Sequence, residues 1–126
     1  MSLSCLLIKN YNNINSFSYQ TEYTVRNGEA NTLYFQLVDL DQNDLRYMPA
    51  SGATLTVSFM GNVPVVYNAV QVNSAVDPSL WSVTISASDT ILSGNILFAL
   101  TQGSQKNSWV VGQGIQVEYT DLVGGC

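Results

Sequence analysis

Apolar and polar residues alternate with a period of two along most of the chain. The segment "GATLTVSFMG" is the clearest case, because Leu55, Val57 and Phe59 share one face while Thr and Ser occupy the other. The same alternation recurs in "TLYFQLVDL", "LWSVTISASD", "GNILFALTQG" and "GIQVEYTD". Successive side chains of a β-strand point to opposite faces, so each segment is a predicted strand with one buried face. Residues 18–25 and 64–72 are less regular strand candidates.

Turn signals recur about every ten residues, which is the spacing expected of a β-sandwich. Asn27-Gly28 predicts a two-residue hairpin, because both central positions of a type I′ turn require positive φ. Other corners are marked by Ser51-Gly52, Asp77-Pro78 and Gly94-Asn95. A short helical turn is expected only in "SASDTIL" (residues 86–92). These signals predict one all-β domain over residues 1–126, an Ig-like or jelly-roll antiparallel β-sandwich of about seven to nine strands.

The N-terminal residues 1–16, "MSLSCLLIKNYNNINS", combine a short apolar run with an Asn-rich loop. They are predicted to form either an edge strand of the sandwich or an N-terminal arm that adds to the sheet of a neighbouring subunit. The apolar run is too short for a secretory signal, and neither a basic region nor a cleavage site accompanies it. No stretch of the sequence approaches the ~20 apolar residues of a membrane span.

Charged residues are few, and acidic residues outnumber basic ones. Charged residues make up 10% of the chain and the net charge is −5, whereas a typical soluble domain has about 25% charged residues. The basic residues Lys9, Arg26, Arg46 and Lys106 are scattered, so no cluster exists to neutralise phosphates. Neither a nucleic-acid partner nor a membrane partner is therefore expected. A surface built from Ser, Thr, Asn and Gln suits a β-sheet protein that packs against neighbours.

The inventory of reactive side chains is poor. The chain has no histidine, so Ser-His-Asp, Cys-His and His-metal sites are unavailable. Cys5 and Cys126 stand at opposite ends and supply no zinc site, and the sequence leaves open whether they pair. "GQG" at residues 112–114 is too short to cradle a phosphate. We expect no enzymatic activity, no cofactor and no bound metal; two converging carboxylates are the alternative that remains open.

The acidic stretch "DLDQND" invites comparison with a calcium loop. Its D-x-D-x-N start matches an EF-hand, but Asp44 stands where glycine is required and Ala50 where the bidentate Glu is required. Asp and Asn side chains bond their own backbone in tight turns, so we interpret the stretch as an Asx-stabilised corner between two strands. A loose surface cation site made by Asp39, Asp41 and Asp44 is the alternative.

The aromatic residues divide into core and surface candidates. Trp81 falls on an alternating apolar face and is predicted to be buried. Trp109, in "KNSWVVGQG", has polar neighbours and is expected either to be partly buried at a sheet end or to offer a platform for a sugar. The candidate interaction surface comprises Leu3, Leu6, Ile8, Tyr11, Tyr47 and Trp109.

With the strands placed, "LYFQLVDLDQNDLRYMPASGATLTVSF" followed by "WSVTISASDTILSGNILFAL" resembles the N-terminal domain of bacteriophage baseplate upper proteins and related Ig-like modules of phage virions. The shared order is a strand with an Asp-rich turn, a Gly-Ala-Thr strand, a Trp-containing strand, an "SxSDT" corner and a final hairpin. The chain departs from the pattern in its first turn, where Asn43 and Asp44 replace the usual glycine. It also ends at Cys126 without a shaft or tip.

The resemblance implies a non-enzymatic structural protein of a bacteriophage particle, either a capsid decoration (cement) protein or a small tail or baseplate component. The expected location is the virion, after synthesis in the cytoplasm of the bacterial host. The expected partners are other virion proteins, such as major capsid or tail proteins, and further copies of the chain, for example in a trimer. The alternative function is a glycan- or host-surface-binding sandwich module that uses Trp109 and tyrosines.

Overall fold

Strands dominate the computed structural model, which describes residues 2–43, 45–60 and 63–117. In chain order the strands are β1 (Leu3–Asn13), β2 (Ser16–Gln20), β3 (Tyr23–Val25), β4 (Asn31–Asp39), β5 (Leu45–Arg46), β6 (Thr54–Phe59), β7 (Val65–Asn68), β8 (Val70–Asn73), β9 (Asp77–Ile85), β10 (Gly94–Gln102) and β11 (Gln105–Val117). They form two sheets that enclose one apolar core, so the predicted all-β sandwich is confirmed. The finer Ig-like or jelly-roll assignment stays a prediction.

The described residues contain eleven strands, more than the seven to nine predicted. The excess comes from short strands that a period-two pattern cannot register, such as the two-residue β5 and the three-residue β3. The candidate at residues 64–72 is also divided, since β7 and β8 belong to different sheets. The alternating segments contain strands, as predicted, although β9 ends at Ile85 and residues 118–121 of the last segment lie outside the described residues.

The first sheet has the strand order β2-β1-β4-β9-β8, with β5 also paired to β4. All its pairings are antiparallel. The strand β1 pairs with β4 through residues 3–8 and with β2 from Leu7 onward, so it lies between β2 and β4 in the sheet order. Residues 3–13 therefore belong to the chain's own sheet, with Leu3, Cys5 and Leu7 in the core, and the alternative of an arm on a neighbouring subunit does not match the structure.

The second sheet has the order β3-β11-β10-β6-β7. Its pairings are antiparallel except for the short parallel pairing of β3 with β11. The edge strands β7 and β8 are separated only by Ala69, so the chain passes from one sheet to the other along one side of the sandwich.

The core lies between the two sheets and is built from their alternating inward positions. Leu55, Val57 and Phe59 are buried as predicted, and Trp81 is also buried. Phe35 of the first sheet meets Phe98 of the second edge to face, with a centroid distance of 5.1 Å. Such aromatic pairs contribute about 0.5–1.5 kcal/mol beyond the area they bury.

The Asn27-Gly28 turn joins the two sheets and does not close a hairpin, contrary to the prediction. Gly28 has the expected positive φ of 95°, but the flanking strands β3 and β4 belong to different sheets. The Asn27 side chain instead bonds a distant backbone: its Nδ2 donates to the Ile91 carbonyl at 3.0 Å, and its Oδ1 accepts from the Ile91 N–H at 2.9 Å. The segment predicted as a helical turn, residues 86–92, contains a single turn in which the Asp89 N–H donates to the Ser86 carbonyl at 3.1 Å.

The acidic stretch forms the predicted corner. The Oδ1 atom of Asp39 accepts a hydrogen bond from the Asp41 N–H at 3.0 Å, and Leu40–Gln42 forms a single 3₁₀ turn. Asn43 ends the turn in the left-handed conformation, with φ of 57°. The chain then returns to pair β5 with the end of β4. The Asx interpretation is therefore confirmed.

Candidate functional site

The structure does not bring the six predicted surface residues together. Leu3 and Ile8 are buried, with 7% and 2% of their surface exposed, so their side chains are withdrawn from any partner. Leu6 and Tyr11 are half-buried on β1. Tyr47 and Trp109 are also half-buried, but both pack against the core.

Trp109 closes the core at the open edge of the second sheet. It pairs with Phe98 across β10 and β11, and the two rings stack with centroids 5.6 Å apart and an interplanar angle of 15°. Its Nε1 atom is buried, and no hydrogen-bond partner for it lies among the described residues. Of the two interpretations of Trp109, partial burial at a sheet end therefore matches the structure.

A groove lies where β1 and β4 separate at one end of the first sheet, beside Tyr23 and Thr24 of β3, and we call it the tyrosine groove. Its described lining includes Lys9, Asn10, Tyr11, Gln20, Thr32 and Tyr34, around a volume of about 380 Å³. The rings of Tyr11 and Tyr34 stack with centroids 4.4 Å apart and an interplanar angle of 25°. Phe17 lies next to Tyr11 at 6.2 Å, which extends the aromatic surface onto β2.

A β-bulge places Tyr11 in this groove. Strict alternation along β1 would put Tyr11 on the core side with Leu7. Asn10 instead has a positive φ of 54°, and the pairing of β1 with β2 shifts register between Lys9 and Asn13. Tyr11 thereby comes to stack on Tyr34, which faces outward from the first sheet. The only sequence signal for this is an asparagine, one of the few residues that tolerate this conformation.

The floor of the groove is fixed by the hydroxyl group of Tyr23. This oxygen accepts hydrogen bonds from the backbone N–H of Ile8 at 3.2 Å and of Tyr34 at 2.7 Å. Both donors lie where the pairing of β1 with β4 ends, so the hydroxyl bridges the two strands as they separate. Burial raises the pKa of Tyr23 well above its usual value, and the two backbone hydrogen bonds oppose that rise only in part.

A buried polar network lies elsewhere on the same sheet, centred on Asp77. The carboxylate of Asp77 accepts hydrogen bonds from Arg46 Nη1 at 3.1 Å, from Gln36 Nε2 at 3.3 Å and from the Ser79 N–H at 3.1 Å. Tyr19 covers the network and donates its hydroxyl proton to Gln36 Oε1. The sequence indicated only a turn at Asp77, because its partners are distant along the chain. The Ser79 hydroxyl group also donates to this carboxylate at 2.5 Å, and a carboxylate that is 97% covered and bonded by four donor groups is a structural element rather than a reactive one.

The acidic residues do not assemble a metal centre within the described chain. Among residues 2–43, 45–60 and 63–117, no three Cys, Asp or Glu side chains come together as ligands. Asp44, one member of the loose cation site, lies outside the described residues. Cys5 is a free thiol in the core whose pKa is raised by burial, and Cys126 also lies outside the described residues. The described part of the chain contains no helix that is long and apolar enough to cross a bilayer.

The outer face of the second sheet carries an apolar row, which we call the second-sheet face. Leu97 pairs with Val110 on one side and with Ser58 on the other, and Ser58 pairs with Val66, so the row crosses four strands. Val110, Leu97 and Val66 are 53%, 45% and 60% exposed. At one end of the row, Met60 and Pro64 help to line a groove of about 300 Å³.

This face is almost without charge. The sequence has no charged residue between Arg46 and Asp77, and none between Asp89 and Lys106. Within the described strands of the second sheet, Lys106 is the single charged residue. The charges that give the chain its net −5 therefore lie on the first sheet, on loops and in the C-terminal residues beyond Val117.

The comparisons with known proteins give no match: no protein-family model matches the chain, and no curated protein matches its sequence. The resemblance to phage baseplate modules accordingly stays a prediction.

Proposed function

We propose that the chain is a non-enzymatic assembly module of a bacteriophage particle and that it associates with further copies of itself through the second-sheet face. The observation that supports this most directly is the row of exposed Val110, Leu97 and Val66 on the second-sheet face, in which Ser58 stands between Leu97 and Val66. Contiguous exposed apolar surface is uncommon on monomeric proteins and marks interaction sites.

The charge distribution favours a second copy as the occupant of this face. Each copy carries a net charge of −5, so contact through the charged parts of the surface brings like charges together. Contact through the second-sheet face removes almost no charge from water, because its strands contain only Lys106 among the described residues. Burial of apolar surface stabilises such a contact by about 25 cal/mol per Å² before the costs of association.

The phage particle is proposed from the resemblance in the strand and turn pattern. In a particle that holds many copies, contacts that are individually weak can still hold the assembly together. Each contact that forms raises the effective concentration of the surfaces that form the next contact. Decoration of a capsid and membership of a tail or baseplate both use this principle, with other virion proteins and further copies of the chain as partners.

Self-association is tested by light scattering and sedimentation of the wild-type chain at about 100 µM, a concentration that detects weak oligomers. Leu97→Glu places a carboxylate in the apolar row and should weaken association by roughly 100-fold, since a buried unpaired charge costs several kcal/mol. Val70→Glu is the matched control, because Val70 is 64% exposed on the edge of the first sheet. It should associate like the wild type.

Two results contradict the proposal. If the wild-type chain stays monomeric at that concentration, the proposed self-association does not occur. A Leu97→Glu variant that associates as tightly as Val70→Glu shows that the second-sheet face is not the contact. The particle assignment has its own test: quantitative mass spectrometry of purified particles should find a constant number of copies per particle, and absence of the chain from particles would refute it.

A further inference from the structure

The tyrosine groove shares no described lining residue with the groove on the second-sheet face and has a different chemistry. Its described lining combines the stacked rings of Tyr11 and Tyr34 with the amide groups of Asn10 and Gln20 and the hydroxyl group of Thr32. We propose that this groove binds a neutral oligosaccharide, with one sugar ring packed on the aromatic surface and its hydroxyl groups bonded by the surrounding amides.

The residue types in the groove match the two surfaces of a sugar. The apolar C–H face of a pyranose packs on an aromatic ring, and tyrosine offers such a ring together with a polar edge. Sugar hydroxyl groups both donate and accept hydrogen bonds, and an amide side chain provides two donors and one acceptor oxygen. A volume of about 380 Å³ lies within the range of small-ligand sites.

The charge of the lining favours a neutral ligand. Lys9 is the one charged side chain among the described lining residues, and it is exposed at the groove. Specific recognition of a strongly anionic ligand requires several convergent cations, which the groove does not offer. A single ammonium group can still donate hydrogen bonds to sugar hydroxyl groups.

Two features show that the groove is built rather than incidental. The bulge at Asn10 holds a non-glycine residue at positive φ, a conformation that costs free energy and that turns Tyr11 onto Tyr34. The buried hydroxyl group of Tyr23 then fixes the backbone of Ile8 and Tyr34 beneath the rings. A site held in place before binding loses less entropy when its ligand arrives.

The test is a titration of ¹⁵N-labelled protein with maltohexaose, cellohexaose, mannohexaose and chitohexaose, followed by nuclear magnetic resonance. At least one saccharide should shift the side-chain amide signals of Asn10 and Gln20, with a dissociation constant of about 1 mM. Tyr11→Ala should weaken binding at least tenfold, which corresponds to about 1.4 kcal/mol.

Two variants make the test specific. Asn10→Gly preserves the positive φ of the bulge while it removes the amide, so it should fold normally and bind several-fold more weakly. Val70→Ala is the control, because Val70 is 64% exposed on the same sheet and does not line the groove. It should bind like the wild type.

The proposal is overturned if none of the four saccharides shifts any signal at about 10 mM, a concentration that would detect binding at the millimolar level. It is also overturned if the shifted signals lie away from the groove, or if folded Tyr11→Ala binds as well as Val70→Ala. Because the groove and the second-sheet face are lined by different residues, a monomeric wild-type chain that binds a saccharide supports this proposal while contradicting self-association.

Discussion

Removal of one oxygen atom, in Tyr23→Phe, tests how the first sheet is held together. The phenylalanine ring keeps the packing of Tyr23 against Phe35, where the centroids are 5.8 Å apart. What disappears is the acceptor shared by the N–H groups of Ile8 and Tyr34. A buried donor left without a partner costs about 1–3 kcal/mol. Because the Ile8 bond is buried and the Tyr34 bond only partly so, we expect a total loss of about 2–3 kcal/mol.

The measurement is urea denaturation at pH 7, followed by the fluorescence of the buried Trp81. With a slope of about 1–3 kcal/mol/M, the expected loss moves the midpoint by roughly 0.7–3 M. Tyr47→Phe is the matched control, since its hydroxyl group accepts one bond from Gln102 Nε2 at 2.9 Å in a partly exposed setting. It should cost less than about 1 kcal/mol. Equal effects of the two variants would refute the role assigned to Tyr23.

The same pair of proteins makes a pH-dependent prediction. Burial raises the pKa of Tyr23 in the folded state, so the folded protein keeps a proton that the unfolded chain releases above about pH 10. The free energy that this retained Tyr23 proton contributes to folding is therefore fully present below pH 10. It is lost as the pH rises, by up to about 1.4 kcal/mol per pH unit. Tyr23→Phe lacks this proton, whereas every other titrating group is common to both proteins. The stability difference between them should narrow at pH 11, and a constant difference would contradict the burial argument.

Two further substitutions probe the connections between strands, each measured by urea denaturation. Asn27→Ala removes both hydrogen bonds to the backbone of Ile91 and should cost about 1–3 kcal/mol; Asn27→Asp keeps the acceptor but loses the donor, and should not restore full stability. Gly114→Ala should cost about 1–3 kcal/mol, because its new Cβ would lie 2.8 Å from Cδ1 of the buried Ile96. Gly112→Ala, whose Cβ would meet nothing closer than 3.8 Å, should be within about 0.5 kcal/mol of the wild type.

The strands and the core were predictable because alternation is a local property. The alternation of Leu55, Val57 and Phe59 predicts a buried face without knowledge of the neighbouring strands, and all three residues are buried in the structure. Sheet membership was not predictable in the same way. Asn27-Gly28 correctly indicated positive φ, yet turn chemistry does not decide which sheet the next strand joins. That choice is made by distant contacts, such as the bonds between Asn27 and Ile91.

The candidate sites were hard to predict because they depend on a β-bulge and on strand pairing, which the sequence indicates only weakly. Tyr11 was a predicted surface residue, but its stacking on Tyr34 depends on the bulge at Asn10, which only a weak asparagine signal indicates. Ile8 appeared equally suited to a surface, yet it is paired between Tyr19 and Tyr34 and is buried. The uncharged run between Arg46 and Asp77 was visible in the sequence. Its meaning emerged only when pairing placed Val66, Leu97 and Val110 in one row.

The separation of the two surfaces links the two proposals. An oligomer that buries the second-sheet face should leave the tyrosine groove of every copy accessible, because the described linings of the two surfaces share no residue. Several grooves on one assembly can bind a surface coated with saccharide 10²–10⁴-fold more tightly than one groove binds a soluble hexasaccharide, by effective concentration alone. Leu97→Glu should therefore weaken binding to the coated surface while it leaves binding of the soluble hexasaccharide unchanged. Equal loss in both assays would instead show that the substitution disturbs the groove itself.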